Sequence, residues 1–187
     1  MNAAALVDRA RDDYVRQFEA FAADLRRKCP RGAAELKLRL SERSRLFQRL
    51  YCIDFIADDG KPRPMEFELE SVLPFEPISV AFGAATLSIE RLCWDDVQIR
   101  HDLAELPVNE LATWFRRWFD PNDERTDANA PLSGVIHSLY VRANLLDVDF
   151  GTASPEAFWN LVKLLERAGA ATIWVGGSRA EDRTSAQ

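Results

Sequence analysis

The hydrophobic period changes twice between Leu145 and Gly176, and that change restricts the fold more than any other feature of the chain. "LLDVDF" (Leu145–Phe150) is rich in apolar and β-favouring residues, and "VIHSLYV" just upstream has the same character. After Gly151 the spacing becomes helical: Phe158, Leu161, Val162 and Leu165 recur at three and four residues. Ser154 predicts an N-cap whose hydroxyl accepts from a free N–H of the first turn. Pro155 suits the first helical position, and Gly169 ends the helix. "ATIWVG" then returns to strand. Strand, helix and strand in this order predict a parallel crossover, which needs a sheet around it.

The rest of the chain supplies that sheet. Ala10, Tyr14, Phe18, Phe21, Ala22 and Leu25 form one face of a long helix from Leu6 to Cys29, stopped by "CPRG". In "ELKLRLSERSRLFQRLYCIDFI" the alternation of Leu36, Leu38 and Leu40 reads as a half-buried strand, although Leu, Arg and Glu also suit a helix; we read the stretch as strands. Asp59-Gly60 marks a turn, and "MEFELES" predicts a strand with Met65, Phe67 and Leu69 on one side and Glu66, Glu68 and Glu70 in water. Further strands are expected at Ile78 to Phe82, Thr86 to Leu92 and Val97 to His101. Leu111, Trp114, Phe115, Trp118 and Phe119 predict a helix, and residues 120–134 a polar loop. The expected fold is α+β: a largely antiparallel or mixed sheet carrying a long N-terminal helix and two further helices. Residues 1–177 read as a single domain and 178–187 as a disordered tail.

Composition narrows the function classes. Charged residues interrupt every apolar run before the roughly 18 residues that cross a bilayer, and the N-terminus lacks the apolar core of a secretory leader. The expected location is the cytosol, with no membrane partner. Cys29, Cys52 and Cys93 have neither disulfide nor zinc-site spacing. The net charge of -6 argues against a general nucleic-acid binder.

The charge is nevertheless uneven, since residues 1–49 hold 12 Arg/Lys against seven Asp/Glu. Within this basic stretch Arg39, Arg43, Arg45 and Arg49 are the candidate interaction surface for an acidic partner. The plainer alternative is a solvated face paired with acids of the same chain, such as Glu66, Glu68 and Glu70. The helix with Trp114 and Trp118 could present aromatic anchors, but such spacing more often marks core, with one Trp left at the rim.

No catalytic motif is complete. Asp149-Phe150-Gly151 has the letters of a kinase metal-binding triplet, yet there is no glycine-rich loop, and Pro107 stands where the catalytic loop after Asp102 would need Asn. Ser138 beside His137 makes no local dyad on a strand, because neighbours point to opposite faces. Asp95, Asp96, His101, His137, Asp147 and Asp149 are the right types for a metal site, but their spacing matches no ligand string, so neither a metal site nor a cofactor is assigned. The expected function is a non-catalytic cytosolic binding or regulatory protein acting through protein contacts, with a partner or a second copy. The alternative is a small metal-dependent or acid–base enzyme built from converging Asp and His residues.

Overall fold

The computed structural model describes residues 2–40, 46–125, 127 and 130–177. Among these residues the order is α1 (Ala3–Lys28), β1 (Ala33–Arg39), α2 (Leu46–Arg49), β2 (Leu50–Asp58), β3 (Pro62–Met65), β4 (Ile78–Phe82), β5 (Ala85–Ile89), β6 (Val97–His101), α3 (Val108–Phe119), β7 (Ser138–Arg142), β8 (Leu145–Asp149), α4 (Pro155–Arg167) and β9 (Thr172–Gly176). The fold is α+β, with the long N-terminal helix, the two further helices and the mixed sheet expected from the sequence. The expected tail, 178–187, lies outside the described residues.

The strands make two sheets, β1-β2-β3 and β4-β5-β9-β6-β8-β7. Strand β6 pairs antiparallel with both β8 and β9, so β8 and β9 run parallel with α4 as their crossover. One side of the larger sheet is apolar: Leu87, Ile89, Val97, Ile99, Leu139, Leu146, Val148, Ile173 and Val175 are all buried. They share one core with Leu6, Val7, Tyr14 and Phe18 of α1, Leu111 and Phe115 of α3, and Phe158, Leu161 and Val162 of α4. Each such side chain taken out of water stabilises the fold by about 1.5–3 kcal/mol. No helix among the described residues is long and apolar enough to cross a membrane.

Four local expectations need correction. Leu36 and Leu40 are exposed (39% and 62%), while Glu35 points inward and Lys37 is largely covered. Asp120 and Ser133 lie over the polar side of β1, where Lys37 Nζ donates to the Asp120 carbonyl at 2.6 Å and Glu35 accepts from Ser133 N–H at 2.5 Å. Leu46–Arg49 is a helical turn rather than strand, which carries Phe47 into the core, edge-on to Phe115 at 5.5 Å. "MEFELES" keeps its alternation of faces but pairs only at Met65. Beyond it, Asp54 Oδ2 accepts from Phe67 N–H at 2.8 Å, so a side chain replaces the ladder, and Phe67 packs against Tyr14 and Phe18. Finally, the Ser154 hydroxyl donates to the Glu156 carboxylate instead of capping a backbone N–H.

Candidate functional site

The two sheets meet at His137. Its backbone N–H donates to the Asp149 carbonyl at the end of β8 (2.9 Å), and its own carbonyl accepts from Cys52 N–H in β2 (2.9 Å). The β1–β2 register, with Ala34 opposite Phe55 and Leu36 opposite Ile53, sets Glu35 across from Asp54. Acids from β1, β2 and β8 therefore surround one imidazole whose side chain is 0% exposed.

Each member is held from outside the cluster. His137 Nε2 is 3.1 Å from Glu35 Oε1, and Glu35 also accepts from the Thr152 hydroxyl and Ser133 N–H. Glu35 does this from a left-handed backbone, φ 53°, a conformation that costs a non-glycine residue about 1–3 kcal/mol and is concentrated at functional sites. On the other ring nitrogen, Asp54 Oδ1 lies 2.9 Å and Asp149 Oδ2 3.8 Å from Nδ1. Asp149 Oδ1 accepts from Gly151 N–H at 2.8 Å. The ring packs over Gly151, where a Cβ would lie 2.5 Å from Nε2, and edge-on to Phe18 at 5.6 Å.

The electrostatics follow from burial against charge. Burial disfavours a charged His137, but Asp149, Asp54 and Glu35 outweigh it and hold the imidazole well above its usual pKa. Burial also opposes charge on Glu35, yet His137, Ser133 N–H and Thr152 keep it below the usual carboxylate range. For Asp149 burial prevails, helped by Asp54 and Asp95, and pushes its carboxyl up to about 7. Burial, then the charges of Asp149 and Asp54, raise the Tyr14 phenol as well. Three residues, Asp54, His137 and Asp149, each offer one ligand atom within 4.8 Å of the others.

Of the residues singled out in the sequence, the fold brings His137 and Asp149 together, with Asp95 close enough to act on Asp149 electrostatically. Asp147 instead holds Arg142 at 2.7 Å, and Asp96 is half-buried near the start of β6. His101 ends β6 opposite Ile173, about 13 Å along the strand from Val97 at 3.3 Å per residue. It is buried, and neither ring nitrogen has a hydrogen-bond partner among the described residues. Glu35 and Asp54 were missed; the only signal was a lone acid in the apolar run "YCIDFI".

The candidate arginines are partly visible: Arg39 is exposed at the end of β1 and Arg49 is half-buried at the end of α2, while Arg43 and Arg45 lie outside the described residues. Neighbouring basic groups pair with Asp24, Asp58 and Asp123. Trp114 and Trp118 are both buried, so neither is left at the rim.

A second feature is the outer side of the larger sheet. Arg100 sits 4.7 Å above the Trp174 ring, which packs against Gly176, where a Cβ would overlap the ring and stand 2.6 Å from its Cζ3. Tyr140 is exposed beside Arg142. Between this face and the segment Val72–Phe75 runs a cleft of about 830 Å³. No protein-family model matches the chain, and comparison with curated proteins and with solved structures finds no match either.

Proposed function

We propose that this chain is a non-catalytic binding or regulatory protein that docks a protein partner on the outer face of its larger sheet. The supporting observation is the Arg100–Trp174 stack, seated on Gly176 beside the cleft and flanked by Tyr140 and Arg142. Trp, Tyr and Arg dominate binding energy in protein interfaces, and a ring already held in place loses little freedom on docking. Arg39, Arg43, Arg45 and Arg49 add positive charge that would steer an acidic partner. Cys29, Cys52 and Cys93 form no disulfide, which suits a reducing cytosol as the place of action.

The test is native mass spectrometry of protein purified gently from its own cells, followed by the double variant Trp174→Ala, Arg100→Glu. A stoichiometric partner lost from that variant, with its melting temperature unchanged, is the expected result. Full retention would remove this face from the function. Arg39→Glu with Arg49→Glu tests the steering charge in the same assay and should slow association rather than abolish it.

The convergence of His137 with Asp54 and Asp149 favours a second reading, acid–base or metal-dependent catalysis. Under it, His137→Gln abolishes turnover while partner capture persists.

A further inference from the structure

Two aspartates, one imidazole and a supporting glutamate meet where the sheets join, in an arrangement suited to hold one cation. Three observations carry this. First, the Nδ1 atom of His137 is wholly buried, and no acceptor among the described residues lies in line with it: the Asp54 oxygen at 2.9 Å is off the ring N–H axis. Ligand atoms of one ion stand in that relation. At 2.0–2.2 Å from a shared metal they are neighbours roughly 3–3.5 Å apart and are not aimed at each other. The 2.9 Å and 3.8 Å separations of Asp54 Oδ1 and Asp149 Oδ2 from Nδ1 bracket that spacing.

Second, every ligand is oriented from behind. Glu35 engages Nε2, so it is Nδ1 that would give up its proton and present a lone pair to an incoming ion, the carboxylate–histidine arrangement typical of metal-bound imidazole. Asp54 gives one oxygen to Phe67 N–H and turns the other to Nδ1; Asp149 does the same through Gly151 N–H. Third, three acids, Glu35, Asp54 and Asp149, face one imidazole, and a single imidazolium charge does not balance them; a divalent ion that displaces the Nδ1 proton puts one more positive charge among carboxylates whose desolvation is otherwise costly. The aspartate side chains keep 15% and 25% of their surface, so an ion has a route in from solvent.

We propose that Asp54 Oδ1, His137 Nδ1 and Asp149 Oδ2 bind one divalent transition-metal ion, of the zinc or manganese type that accepts mixed nitrogen and oxygen ligands. The site ties β2, the strand entry at His137 and β8 together, and it is independent of the docking face described above.

The experiment uses the full chain, stripped with a chelator and titrated with Zn²⁺ alone. Calorimetry should show one tight equivalent per chain. The chain has two histidines, His101 and His137, so ¹⁵N-histidine NMR reads both rings in the unaltered protein. On adding Zn²⁺, Nδ1 of His137 should shift while Nε2 keeps its proton, and His101 should stay in place. Asp54→Asn and Asp149→Asn should each weaken binding at least tenfold, Asp147→Asn should not, and Glu35→Gln should cost roughly tenfold through loss of orientation. The proposal is overturned by absence of binding, by a shift at His101 or only at Nε2 of His137, or by undiminished affinity in both Asn variants. If those variants fail to fold, the spectrum of the unaltered protein decides alone.

Discussion

Replacing Gly151 by Ala tests the packing of the buried imidazole directly. Gly151 holds φ +49°, and a methyl group there would stand 2.5 Å from Nε2 and 2.7 Å from Cγ of His137. The ring cannot swing aside, because Glu35 holds Nε2, the nitrogen nearest the new methyl group, and Phe18 lies against it. Gly134 is an internal control: it has φ +69°, it donates to the Thr152 hydroxyl of the same network, and a Cβ there meets nothing within 4 Å. Left-handed geometry alone costs an L-residue about 1–2 kcal/mol, so Gly134→Ala should lose about 1.5 kcal/mol. Gly151→Ala adds overpacking of about 1–3 kcal/mol, which brings its loss to about 3.5 kcal/mol. For a chain of this size, at roughly 2–4 °C per kcal/mol, the melting temperature should fall roughly 3–6 °C and 7–14 °C respectively. Urea unfolding of the two variants and the parent measures the difference. Midpoints that coincide for the two variants would refute the claim that the ring is pinned over Gly151.

Two further outcomes follow from the same physics. Cys52 and Cys93 are buried, and burial pushes the Cys52 thiol up to about 12, whereas Cys29 is half-buried; a thiol reagent at pH 8 should therefore label one cysteine quickly in the native protein and the other two only on unfolding, and two fast thiols would contradict this. Burial holds the His101 imidazole below its ordinary pKa against the opposing charge of Asp102. As pH falls through about 6.5, the unfolded chain takes up a proton that the folded one resists, so His101 contributes a loss of stability on acidification that is absent above that pH. Urea titrations at pH 8 and pH 5.5 should show a smaller acid loss in His101→Leu than in the parent, and equal losses would show that His101 is not held neutral.

The elements with a clear period were legible in the sequence because period is a local property of the chain. The stripe of α3, the strands β4 and β6, and the β8–α4–β9 crossover all stand close to where spacing and caps put them. Fold class followed from these. The faces of β1 did not: alternation shows that Leu36 and Lys37 point to opposite sides but not which side is covered. That is decided by Asp120, Ser133 and His137, about a hundred residues away, which bring a carbonyl to Lys37 and an N–H group and an imidazole to Glu35 and leave Leu36 and Leu40 to solvent. The candidate site has the same origin. His137 and Asp149 could be named as residue types, but Asp54 and Glu35 became partners only through strand register, and the His137 backbone joined the two sheets only once both existed. Residue type and period belong to the sequence; the meeting of three acids and one imidazole belongs to long-range pairing, where the energy of a buried charge depends on neighbours the local chain does not contain.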